Sequence, residues 1–104
     1  MTKIVWTDPA VQDLASIHSY ITRDSNVYAD ALLLEIFHFV EKLEQFPRSG
    51  RVVPELNDGN TREIIVGNYR VIYDIVHLRV RILAVLHGAR LFQNPKLRVR
   101  IDKR

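Results

Sequence analysis

The chain has no cysteine. That excludes a disulfide framework, a thiolate zinc site and a thiol nucleophile, and it fits a reducing compartment such as the cytoplasm. No apolar run reaches the roughly 20 residues needed to cross a bilayer, and the opening MTKIVWTDPA lacks the long apolar stretch of a signal peptide. There is no glycine-rich loop to cradle a phosphate and no serine, histidine and aspartate set arranged for nucleophilic attack. The four histidines have no spacing that would hold a metal: His18 and His38 fall on helical segments, His77 in a turn and His87 at a strand end. Internal repeats and low-complexity segments are absent, and basic residues are not interleaved with aromatics as in RNA-stacking sheets.

What is present is a chain of 104 residues, 47% hydrophobic, enough for one compact core and too short for two. One domain over 1–104 is expected, with 92–104 a basic C-terminal tail. The net charge of +3 is uneven. Residues 91–104 hold five basic side chains (Lys96, Arg98, Arg100, Lys103, Arg104) against Asp102, a net +4, which leaves the rest at −1. The body is therefore not a general polyanion binder; the tail could touch phosphates or an acidic protein segment, or simply be solvated.

Lys3 to Trp6 is rich in β-formers and predicts a short first strand. Thr7-Asp8-Pro9 then starts a helix, with a capping side chain ahead of a proline whose missing N–H costs nothing in the first turn. Ala10, Leu14, Ile17 and Ile21 form one apolar stripe on a helix ending near Arg23. After the break at Asp24-Ser25-Asn26, with Asn26 as the expected N-cap, a second helix is predicted over Val27–Phe46. Its inward residues are Ala29, Leu32, Leu33, Ile36, Phe39, Val40 and Leu43, and Pro47 stops it. Leu34 and Phe37 fall off that stripe and hint at a second contact surface. The short joint makes the two helices an antiparallel hairpin. Residues 47–61, with two prolines and two glycines, are expected to be loop.

The last third predicts three strands, TREIIV, YRVIYDIV and RVRILAVLH, joined by tight turns at Gly67-Asn68 and His77-Leu78. In the expected register Ile64 faces Val71, Ile65 faces Arg70, Val71 faces Ala84 and Tyr73 faces Ile82. Alternation then sorts the faces. Ile64, Val71, Tyr73, Ile75, Val80, Ile82, Ala84 and Leu86 should meet the helical hairpin. Glu63, Ile65, Arg70, Ile72, Asp74, Arg81, Leu83, Val85 and His87 should form an open face, for which no helix remains and on which a partner chain or the tail is expected. The fold class is thus α+β: an N-terminal strand, then an antiparallel helical hairpin packed on one face of a small antiparallel sheet.

Arg70 among aliphatics needs an anionic partner, and Glu63 on the next strand is near enough to be one; a phosphate or carboxylate of a ligand would serve as well. His87 and Arg90 flank Gly88-Ala89 and could converge at a sheet edge for acid–base work on a phosphodiester, or the histidine could fix the turn. Asp74 opposite Arg81 predicts a cross-strand ion pair.

The segments W-T-D-P-A-V-Q-D-L with Ile17 and Tyr20-Ile21, F-P-R-S-G-R, T-R-E-I-I-V, N-Y-R-V-I-Y and R-I-L-A-V-L-H-G-A-R occur in order over residues 4 to about 92. Together they resemble the RelE/ParE superfamily of toxins from type II toxin–antitoxin modules. The resemblance implies a helical hairpin on an antiparallel sheet, a cognate antitoxin that wraps the toxin in a hetero-oligomer, operator DNA reached only through that antitoxin, and no cofactor. One branch cleaves mRNA on the ribosome with basic residues of the sheet; the other poisons DNA gyrase. Arg70 and Arg90 match basic positions of the nuclease branch. Its lysines are replaced here by Thr61 and Glu63, and its late tyrosine has no counterpart after Tyr73. The H-G-A-R and F-P-R-S-G-R segments are more similar to the ParE branch. The expectation is a gyrase-directed toxin whose partner-binding residues are Glu63, Ile65, Arg70, Ile72, Asp74, Arg81, Leu83, Val85, His87 and Arg90. The alternatives are an mRNA endonuclease using Arg70, Arg90 and His87, or a module member that has lost toxicity and remains as a regulatory partner.

Overall fold

The computed structural model of the chain describes residues 1–88. In chain order these form β1 (Lys3–Trp6), α1 (Asp8–Thr22), α2 (Asn26–Glu41), a 3-10 turn (Lys42–Glu44), β2 (Arg51–Val52), β3 (Thr61–Val66), β4 (Tyr69–Val76) and β5 (Arg79–His87). The strands make one sheet in the order β1-β5-β4-β3-β2. β1 runs parallel to β5 and every other pair is antiparallel, so the sheet is mixed where an antiparallel one was expected.

Thr7 links the first strand to the first helix. Its hydroxyl donates to the Ile82 carbonyl at 2.7 Å and accepts from the Ala10 N–H, so one side chain caps α1 and pins it to β5. Ser25, not Asn26, caps α2: its Oγ accepts from the Tyr28 N–H at 3.0 Å, and Asn26 is already helical. The second helix ends at Glu41 rather than Phe46, because the residues before Pro47 tighten into the 3-10 turn. The expected apolar stripes do face inward: Ala10, Leu14, Ile21, Ala29, Leu32, Ile36, Val40 and Leu43 pack on Val66, Val71, Tyr73, Val80, Ile82 and Val85.

The two tight turns fall where expected, with Gly67 and His77 at positive φ. The registers Ile64–Val71, Ile65–Arg70 and Tyr73–Ile82 hold. Between Ile72 and Tyr73 the ladder slips by one residue, so Val71 faces Val85 and not Ala84, and Leu83 is the extra residue of a β-bulge. A one-residue slip exchanges faces. Val85 therefore joins the core under the helices, whereas Ala84 and Leu86 move to the far face.

That far face is not open. Ile72, Leu83, Ala84 and Leu86 are buried with Val53, and Leu56 packs against them. Both Val53 and Leu56 come from the segment expected to be plain loop, which also contributes the edge strand β2. The loop is fixed at its start by Tyr73, whose phenol donates to the Pro47 carbonyl at 2.7 Å and accepts from the Gly50 N–H at 3.0 Å.

Candidate functional site

Arg70 is the centre of the far face. Its position on β4 opposite Ile65 places Glu63 on the diagonal of the neighbouring strand, and Nε donates to Glu63 Oε1 at 2.7 Å. The rest of the guanidinium is taken by a residue sequence reasoning missed. Nη1 and Nη2 fork onto Glu55 Oε2 and Oε1 at 2.7 and 2.9 Å, and Nη1 also donates to the Gly88 carbonyl at 3.2 Å. Nη2 lies against Glu63 Oε1 as well, so all three nitrogens of the group are engaged. The Arg70 side chain is only 7% exposed. Glu63 in turn receives Arg51 Nε on its second oxygen, from the paired position on β2.

The four side chains form a row of alternating charges, Arg51, Glu63, Arg70 and Glu55, with no net charge. The Arg70 hydrogen bonds hold the Glu55 carboxyl below the usual carboxylate range, and the same bonds raise Arg70 against the opposing effect of burial. Glu55 lies in the segment between β2 and β3, where no periodicity signals it. Only the need of a buried arginine for more than one carboxylate oxygen could have pointed to it.

Farther along the same face, Arg81 grips Asp74 with Nε on Oδ1 at 2.9 Å and Nη2 on Oδ2 at 2.6 Å, the expected cross-strand pair. Asp74 is buried, and its hydrogen bonds raise Arg81 further.

The residues expected on one open face are dispersed. Ile65 is 49% exposed, Arg81 half-buried and His87 exposed, whereas Glu63, Arg70, Ile72, Asp74 and Leu83 are buried. Val85 is buried on the opposite, helix-facing side. The same bulge separates His87 from Arg70. Leu86 takes the place opposite Arg70, and His87 pairs with Tyr69, its ring edge-on at 5.6 Å. His87 and Arg70 still border one shallow groove of about 310 Å³ at the Gly67-Asn68 turn, with Arg51, Ile65, Tyr69 and Gly88. Arg90 and the tail lie outside the described residues. Among the described residues no group of three or more histidine, aspartate or glutamate side chains is placed to hold a metal ion. No described helix is long and apolar enough to cross a membrane.

Comparison with known proteins agrees with this architecture. A family model for the ParE toxin of type II toxin–antitoxin systems (parDE) matches residues 4–92. Toxin RelE2 of Caulobacter vibrioides is 32% identical over 92 residues, which is 88% of this chain and the whole of that protein. A solved chain from a chromosomal ParDE toxin–antitoxin system of P. aeruginosa superposes with a TM-score of 0.70, covering 84% of this chain and 96% of that one. At 20% identity, that last likeness is one of fold.

Proposed function

The chain belongs to the ParE toxin family of type II toxin–antitoxin systems, and on that premise we propose that it inhibits DNA gyrase by binding it, and does not cleave RNA. The observation that carries this reading is the engagement of Arg70. A nuclease would need that guanidinium to face a scissile phosphate and stabilise the charge that develops on it. Here its nitrogens are held by Glu55, Glu63 and the Gly88 carbonyl, and the two carboxylates would repel the phosphate. Arg70 is then an internal clamp that holds the 53–56 segment on the sheet.

A type II toxin has a cognate antitoxin as its partner. In this reading the antitoxin neutralises the toxin in the cytoplasm as a hetero-oligomer, and operator DNA is reached only through the antitoxin. Of the residues expected to contact a partner, Ile65, Arg81 and His87 keep accessible surface and are the ones we assign to such contacts.

The test is a supercoiling reaction with purified gyrase. The expected result is loss of supercoiling, with cleaved DNA trapped on the enzyme when protein is removed by protease and detergent. Undiminished supercoiling at excess toxin would overturn the proposal. The endonuclease alternative has exposed His87 beside the groove in its favour. It requires mRNA cut at ribosomes in a reconstituted translation reaction, and loss of cutting in His87→Ala.

A further inference from the structure

The segment F-P-R-S-G-R, residues 46–51, is only partly used by the fold. Pro47 and Gly50 close on Tyr73, and Arg51 meets Glu63. What remains is Phe46, 61% exposed, and Arg48, exposed on the same turn. The backbone that carries them is fixed, since the Phe46 N–H donates to the Lys42 carbonyl and the Ser49 N–H to the Phe46 carbonyl, both at 3.0 Å. A groove of about 390 Å³ opens here, lined by Phe46, Pro47, Arg48 and Ser49.

Two guanidiniums border this turn. Arg48 Nη2 donates to the Asn60 side-chain oxygen at 3.1 Å. Arg62 donates from Nη1 to the Arg48 and Gly50 carbonyls at 3.2 and 2.9 Å, and from Nε to the Gly59 carbonyl at 3.1 Å. All of these acceptors are neutral. Among the described residues neither arginine makes an ion pair, whereas Arg51, Arg70 and Arg81 each hold a carboxylate. Asp58, the acid of the neighbouring turn, accepts from the Asn60 N–H and the Thr61 hydroxyl at 3.0 Å each. Burial pushes the Tyr73 phenol above its ordinary value, while the Gly50 N–H and then the Arg62 and Arg48 charges pull it back, so both cations bear on this one turn. Arg62 is paired with Tyr73 and lies on the helix side of the sheet, the opposite face from Arg70.

We propose that this turn is a docking site for an acidic segment of a partner protein, which seats an apolar side chain in the groove against Phe46 and Pro47 and sets its carboxylates on Arg48 and Arg62. Both guanidiniums are already held in place by neutral acceptors, so little side-chain freedom is lost when a carboxylate arrives, and each keeps N–H donors unspent. The planar fork of an arginine meets a carboxylate at two points. A nucleic acid fits less well. Two cations release the counterions of about two phosphates, too few for firm binding, and a phosphate backbone has no use for the apolar groove. The body of the domain carries a net charge of −1, so the attraction is local. This surface does not depend on the identity of the toxin's target.

The probe is an eight-residue peptide with capped ends, Ser-Asp-Glu-Leu-Phe-Glu-Asp-Ser; its control has serine for leucine and phenylalanine at the same charge. The basic tail attracts both peptides alike, so the difference between them reports the groove. In the full chain the apolar peptide should move the Arg48 and Ser49 amide resonances saturably and bind about tenfold more tightly than its control. Arg48→Gln and Phe46→Ser, at exposed positions that leave the circular dichroism unchanged, should each weaken the apolar peptide about tenfold, the first effect shrinking at high salt. Arg48→Lys, which keeps the charge without the fork, should fall between Arg48→Gln and the parent chain. Equal affinity for the two peptides, unchanged affinity in Arg48→Gln, or resonance shifts confined to residues 92–104 would overturn the proposal. So would tighter binding at Arg48 and Ser49 of a single-stranded oligonucleotide of the same charge, which would make the turn a nucleic-acid site.

Discussion

Replacing Arg70 with methionine would strand the Glu63 carboxylate, 1% exposed, with Arg51 as its remaining partner, and free Glu55 to solvent. Removing one member of a buried charge set costs about 3–5 kcal/mol; urea denaturation of Arg70→Met should show a loss in that range. Arg70→Lys should recover only part of it, because an ammonium cannot fork onto two carboxylates. Acid tests the same cluster. Glu55 is held below its ordinary value by Arg70, so the unfolded chain binds the proton more readily and stability rises with pH through this range. The Glu55 contribution is complete at neutral pH and is lost as pH falls from about 4.3, the ordinary glutamate value, through the lower folded value. Glu55→Gln should flatten the pH dependence of the denaturation midpoint in that window. Gly50 is constrained from another direction: a Cβ there would lie 2.5 Å from Tyr73 Oη and 2.7 Å from the Glu63 carbonyl oxygen. Gly50→Ala must push the loop off the sheet, at a cost of about 1–3 kcal/mol. Tyr73→Phe should cost a similar amount for a different reason, since it leaves the buried Gly50 N–H without its acceptor.

At the level of elements, the bulge in β5 decides which side chains meet which layer. It also explains which parts of the fold were legible. The helices announce themselves through stripes interrupted by polar residues, and β3 and β4 through turn residues and clear alternation. β5 contains Ile82-Leu83-Ala84-Val85-Leu86, five apolar residues in a row, in which no polar residue marks the phase. A slip there exchanges one aliphatic for another, so its position depends on packing and not on pattern. One contact outside the ladder does mark it: the Val85 N–H donates to Asp13 Oδ2 of α1 at 2.9 Å, beyond the end of β1. A carboxylate 72 residues away cannot be paired with an amide by reading along the chain. For the same reason Glu55, in a segment without period, was invisible as the partner of Arg70. Asp13→Ala should destabilise by about 1–3 kcal/mol, since a buried amide loses its acceptor. Asp13→Asn, which keeps an oxygen at the same place, should cost less; equal losses in the two variants would show that the Val85 contact is not what matters.

For the molecule as a whole, the charge is divided between a body of −1 and a tail of +4. Among the described residues the two buried clusters are built from residues 10 to 86. Truncation after Leu91 turns a protein of net +3 into one of net −1. Polyanion binding scales with the number of cations that displace counterions, and five basic side chains leave with the tail. The full chain should be held on heparin at low salt, with a steep fall in retention as salt rises, whereas the 1–91 chain should pass through. The same pair of proteins separates two forms of the proposed gyrase inhibition. If the toxin grips the enzyme through protein contacts of its folded body, both chains should inhibit supercoiling at similar concentrations and with a shallow salt dependence. If the tail also holds the DNA on the enzyme, the truncated chain should need at least about tenfold more protein, and the gap should close as salt screens the phosphates. The clamped state of Arg70 favours the first outcome, because it leaves the body with no free guanidinium at the centre of its far face and makes shape, more than charge, the basis of recognition.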